Sequence, residues 1–184
     1  LGVVDNKGKI IWADQYMLLL AKEISYLYKN PKIIMDVKCS KIFFDEAKKL
    51  LPKNNYIGLS ITQGNIYRKK EWPLGHIIEI CNKLNQNNKI PVFFIEKRNQ
   101  ELKNKIEKMI PVALFPEHET NLSSPALVTC LAKRLDFAIS IDNGIMHMLA
   151  LAKIPMIVLF GPTDSEKFSP SHKGSVVLDS KKLY

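Results

Sequence analysis

Residues Ile139–Asp164 read ISIDNGIMHMLALAKIPMIVLFGPTD. An apolar run, Phe137–Ile141, stops at Asp142-Asn143-Gly144. A short amphipathic stretch with His147 follows. A second apolar run, Met156–Phe160, then stops at Gly161-Pro162-Thr163-Asp164. Buried strand, polar turn, helix, buried strand, polar turn is the pattern of a βαβ unit. Strands joined by such crossovers run parallel, so both polar turns fall at one sheet edge. Open α/β sheets bind ligands at that edge.

The alternation extends outward in both directions. Tyr56–Ile61, Pro91–Ile95, Val112–Phe115 and Asp136–Ile141 read as strands, with a weak last strand at Ser175–Leu178. Helices are expected after Pro73, over Arg98–Met109 and over Pro125–Arg134. The expected fold class is α/β: a Rossmann-like parallel sheet with flanking helices. Loops 62–72, 96–99, 116–124, 142–145 and 161–166 would gather at one edge. Toward the N-terminus, Leu1–Val4 and Lys9–Trp12 are β-like runs joined by Asp5-Asn6-Lys7-Gly8. A helix behind Asp14, a strand at Lys32–Val37 and a helix from Ser40 or Lys41 to Leu51 follow. Pro52-Lys53-Asn54-Asn55 is a polar break. Two domains are expected: a β-hairpin/α/β/α fragment over 1–51 and the parallel sheet over 55–184.

The 184 residues suffice for one ordinary domain, or one domain plus a fragment. Net charge is +9, with lysines in nearly every segment. That reads as a solvated basic surface, or as attraction to nucleotides or acidic lipid headgroups. No aromatic-basic interleaving points to nucleic acid, and none is expected as a partner. Cys39, Cys81 and Cys130 are far apart and show no metal spacing, as small buried residues of a reducing compartment would be. His76, His118, His147 and His172 form no metal-ligand spacing, so no metal site is expected. No apolar run approaches the roughly 20 residues that cross a bilayer.

Three loops carry candidate chemistry. In loop 62–72, Gly64 permits close backbone approach and Arg68, Lys69 and Lys70 supply cations ahead of a helix N-terminus. It is a phosphate cradle or a solvated basic loop, and it lacks P-loop spacing. Asp142 and Asn143 either cap the next helix or, with Gly144, hold a diphosphate or sugar. His147 either donates to a phosphate or is a structural histidine. Gly161, Thr163 and Asp164 form a plain turn and cap, or bind sugar hydroxyls. Glu96, after the strand Pro91–Ile95, either accepts ribose hydroxyls or is solvated.

Gly64…Lys70-Glu71-Trp72-Pro73, Ile139–His147 and Leu159–Asp164 together resemble the C-terminal half of the ADP-heptose:lipopolysaccharide heptosyltransferase family. The likeness covers about residues 55–184. It implies one half of a GT-B fold and a site for a nucleotide-diphosphate sugar. By position it puts Lys70 on the donor phosphates, and Asp142, Gly144 and His147 on the diphosphate and sugar. Gly161, Thr163 and Asp164 would line the same pocket. Ile66 and Asn143 depart from the family, which favours Ser or Thr there. The resemblance further implies inverting transfer to a lipopolysaccharide-type acceptor, with no cofactor or donor-site metal. The general base would sit on the acceptor half, so this chain would bind donor without turnover. The location would be cytoplasmic, with peripheral association at an acidic membrane surface.

Leu1–Gln15, Asp36–Ser40 and Phe44-Asp45-Glu46 instead resemble a phosphomannomutase/phosphoglucomutase where its second domain passes into its third. The metal-binding and phosphoserine loops of that family are absent, so Lys38 has no chemistry to serve. The two resemblances lead to the expectation of a junction between unrelated genes, shortened at both ends, either an artefact or a natural fusion. A mutase fragment and a basic non-enzymatic binding domain are the alternative functions.

Overall fold

The computed structural model describes residues 3–4, 10–11, 23, 26, 41–63, 70–170 and 172–183. The chain forms two compact units, Leu1–Lys38 and Cys39–Tyr184. In the first, β1 (Val3–Val4) and β2 (Ile10–Ile11) pair antiparallel, Val3 opposite Ile11, as the four-residue turn between them predicts. Glu23 and Tyr26 are helical and exposed. The strand expected at Lys32–Val37 lies outside the described residues.

The second unit is a parallel sheet flanked by helices. Its strands are β3 (Tyr56–Ser60), β4 (Ile90–Phe93), β5 (Phe137–Ile141), β6 (Met156–Phe160) and β7 (Ser175–Asp179). They lie in the order β4-β3-β5-β6-β7, every pair parallel. Helix α1 (Lys41–Leu50) precedes β3, and α2 (Leu74–Gln86) joins β3 to β4. Between β4 and β5 come α3 (Gln100–Met109), a 3-10 turn at Pro116–His118 and α4 (Pro125–Ala132). Helix α5 (Gly144–Leu151) joins β5 to β6, and α6 (Ser165–Phe168) joins β6 to β7. Helix α7 (Ser180–Leu183) follows β7.

Period-two alternation divides the core. Val92 and Phe94 pack on one face with Leu127, Leu131, Met146 and Leu149 from α4 and α5. Phe93 and Ile95 pack on the other with Ile77, Cys81 and Ile106 from α2 and α3. Burial pushes the Cys81 thiol up to about 12, so it is an inert packing group. Cys130 is also buried. Among the described residues no helix is long and apolar enough to cross a membrane.

Three differences from the sequence reading have physical causes. Val112–Phe115 is not a full strand. It shrinks to one parallel bridge, Leu114 to Val92, bounded by Pro111 and Pro116, which have no N–H to extend a ladder. The last strand is longer than expected: β7 pairs along all of β6, from Ser175 opposite Met156 to Asp179 opposite Phe160. Finally, the compact units divide between Lys38 and Cys39, not at 52–55. Helix α1 goes with the sheet because Ala47 and Leu51 are fully buried in its core. The polar break is pinned as well: Arg134 donates through Nε to the Leu51 carbonyl and through Nη2 to the Lys53 carbonyl at 3.2 Å.

The chain moves outward from β3 to β4, touches the sheet again at Leu114, and then crosses back to β5 on the other side of β3. Leu59 pairs with Ile139 and Ser60 with Ser140. The segments leaving β3 and β5 therefore part at a topological switch point, where such sheets open a crevice.

Candidate functional site

At that crevice three loops meet on one carboxylate. Asp142 follows β5 and is 8% exposed. Its Oδ2 accepts from Lys70 Nζ and from Thr163 Oγ1. Lys70 Nζ also donates to the Asp142 carbonyl at 3.1 Å. The Lys70 and Asp142 side chains are each about nine-tenths buried. Two of the three ammonium protons are thus committed among the described residues.

Gln63 sets the lysine's approach. Its Oε1 accepts from Lys70 N at 2.8 Å, and its Nε2 donates to Glu71 Oε1 at 2.9 Å. Sequence reasoning missed this residue. Its place just beyond β3, at the start of the basic loop, was the available signal. Gly64, also expected to contribute, lies outside the described residues.

Asn143 resolves toward the structural alternative. Its Oδ1 accepts from Met146 N at 2.9 Å, capping α5. Its Nδ2 donates to Ser60 Oγ and to the Thr62 carbonyl, each at 2.8 Å, which stitches the end of β3 to the end of β5. The amide is consumed inside the protein. The cap leaves the N–H groups of Gly144 and Ile145, which have no intrahelical acceptor, at the positive end of α5. A Cβ at Gly144 or at Gly161 would meet nothing within 4 Å, so both border open space. His147 is exposed on the same helix, one turn in.

Asp164 also caps: its Oδ1 accepts from Glu166 N at 2.9 Å and from Lys167 N at 3.3 Å. Lys181 Nζ donates to the Pro162 carbonyl at 2.8 Å, so the Gly161–Asp164 turn is held from both sides. Glu96 is half exposed and ion-paired with Arg98. A hollow of about 250 Å3 between α6, β7 and α7 contains none of the expected site residues. Among the described residues no three His, Cys, Asp or Glu side chains are placed to share a metal ion.

Glu117, in the turn after the Leu114 bridge, was not anticipated. It is 5% exposed; Oε1 accepts from Ser123 Oγ at 3.0 Å and Oε2 has no partner. Burial pushes its carboxyl above the ordinary range. The folded state therefore holds the proton more tightly than the unfolded chain does. This contribution is intact below the unfolded value and is lost as pH rises through the folded one. Glu117→Gln is accordingly expected to raise the thermal midpoint at pH 8 and to change it little at pH 4. Equal shifts at both pH values would contradict the assignment.

The family model of glycosyltransferase family 9 (heptosyltransferase) matches residues 8–183. The chain belongs to glycosyltransferase family 9. The match runs through 52–55 and takes in most of the N-terminal stretch, so family 9 character is wider than the motifs suggested. Lipooligosaccharide heptosyltransferase 2 of Campylobacter jejuni serotype O:2 is 27% identical over 104 residues, covering 55% of this chain and 32% of that protein. A phosphomannomutase of Methanocaldococcus jannaschii is 33% identical over 70 residues, 38% of this chain and 15% of that one, a minor match. Among solved structures, the family 9 glycosyl transferase of Veillonella parvula superposes with a TM-score of 0.70 at 18% identity, covering 91% of this chain and 49% of that one. E. coli ADP-heptose LPS heptosyltransferase II gives 0.68 at 19% identity, covering 96% and 56%. E. coli heptosyltransferase WaaC with ADP gives 0.63 at 19%, covering 90% and 49%. The chain thus spans about half the length of these solved structures and about a third of the C. jejuni protein. The fold is the Rossmann-like α/β half expected of a GT-B enzyme.

Proposed function

We propose that this family 9 chain holds the diphosphate of a nucleotide-sugar donor at the β3/β5 crevice, as the donor half of an inverting sugar transferase. The observation that carries the reading is the meeting of Lys70 and Thr163 on Asp142 beside the N-terminus of α5. The third ammonium proton of Lys70 and the two amides without an intrahelical acceptor suit a dianionic diphosphate. Lys70 and the amides would stabilise the charge that develops on the departing nucleoside diphosphate. In this reading His147, exposed one turn into α5, would donate to a phosphate oxygen, and Glu96 would exchange Arg98 for ribose hydroxyls.

The acceptor would be a saccharide on a lipid, consistent with what the C. jejuni and E. coli relatives are called. Its hydroxyl needs a general base, and the Asp142 carboxylate, bound to Lys70 and Thr163, is not available as one. The expected behaviour of this chain is donor binding without turnover. The +9 charge suits peripheral docking on an acidic membrane surface. Calorimetric titration of the full chain with ADP and with UDP tests the reading. Saturable heat from at least one is expected; none from either overturns it.

A further inference from the structure

Lysine is a poor aiming device by itself, a point charge on a flexible four-carbon stem. Lys70 is aimed because two acceptors of one residue take two of its protons. The Asp142 carbonyl is fixed by the end of β5, where Asp142 N donates to the Leu159 carbonyl at 3.2 Å. The carboxylate is not fixed by the backbone, because it turns about its side-chain bonds. Something other than Lys70 has to hold it.

Thr163 is that hold. Its hydroxyl donates to the same Oδ2 that receives Lys70. Its turn is anchored independently of the lysine, by Lys181 at the Pro162 carbonyl and by the Asp164 cap on α6. We propose that Thr163 is a positioning residue: by orienting the Asp142 carboxylate it directs the remaining proton of Lys70 toward the ligand beside α5. This rests on the diphosphate reading above and adds a coupling between the loops after β3 and β6. Thr163 need not touch the ligand to affect it.

The experiment is a cycle of Thr163→Val and Lys70→Met in the full chain, titrated with ADP, with Thr163→Ser as the conservative variant. Valine keeps the shape and removes the hydroxyl; serine keeps the hydroxyl. Thr163→Val should weaken ADP binding by roughly three- to ten-fold, the usual net worth of one intramolecular hydrogen bond. Thr163→Ser should restore it to within about twofold, and Thr163→Val should add less than about twofold once Lys70 is methionine. A second readout needs no ligand. In spectra of chain carrying 13C at the lysine ε carbon, the Lys70 resonance, assigned by its loss in Lys70→Met, should move in Thr163→Val and return in Thr163→Ser. An unmoved resonance, an unchanged ADP affinity, or an equal loss with and without Lys70 overturns the proposal. Failure of the parent to bind ADP, or an ADP affinity indifferent to Lys70→Met, falls instead on the diphosphate reading.

Discussion

Lys70→Met is expected to weaken ADP binding by about ten- to a hundred-fold, the cost of losing one charge-assisted hydrogen bond from a desolvated site. Two effects act together. The variant removes the cation that meets the diphosphate, and it unmasks Asp142, whose side chain is about nine-tenths buried. An uncovered carboxylate beside a diphosphate repels it, and a charge left unpaired in a nearly dry place is the costly kind. Adding Asp142→Asn to Lys70→Met should therefore recover part of the affinity, because the double variant carries no net charge at the pair. Calorimetry with ADP on the parent, the single variant and the double variant measures this. A double variant weaker than the single one would mean that Asp142 contacts the ligand in its own right.

Gly58→Val should destabilise the sheet unit by about 3 kcal/mol, the upper part of the range for overpacking a filled core. A Cβ at Gly58 would stand 2.5 Å from Leu135 Cδ1, 3.2 Å from Phe94 Cε2 and 3.5 Å from Ala138 Cβ. All three belong to the core under α4 and α5, and none is more than 6% exposed. Valine adds two further carbons to a space that one already overfills. Gly58→Ala should cost much less, since the closest atom is the far end of a leucine that can turn aside. Urea unfolding of the three proteins gives the comparison. A valine variant with an unshifted midpoint would mean that Leu135 does not pack over Gly58 as described.

Gly58 also marks a limit of local reading. Nothing in YIGLS distinguishes a glycine needed for close approach from one that is merely tolerated in a strand. The same holds for Arg134, an ordinary basic residue at a helix end until it meets the carbonyls of Leu51 and Lys53. Glu117 looks solvated in a polar loop, yet it is buried in the 3-10 turn at Pro116–His118.

What the amino-acid order determined by itself was the succession of elements and the edge where they deliver their loops. Apolar runs of strand length, helical spacing between them and Pro or Gly at the breaks depend on residues close together in the chain. Right-handed crossovers then leave the loops nowhere else to gather. Lys70, Asp142 and Thr163 could be nominated on that ground. Tertiary structure decided which of them touch. Lys70 and Asp142 are 72 positions apart, and their pairing depends on β3 lying beside β5 in a particular register. The same adjacency spent Asn143 on Ser60 and Thr62. Periodicity is a property of neighbours in sequence. A bond between loops is a property of strand order, which no short stretch of sequence encodes.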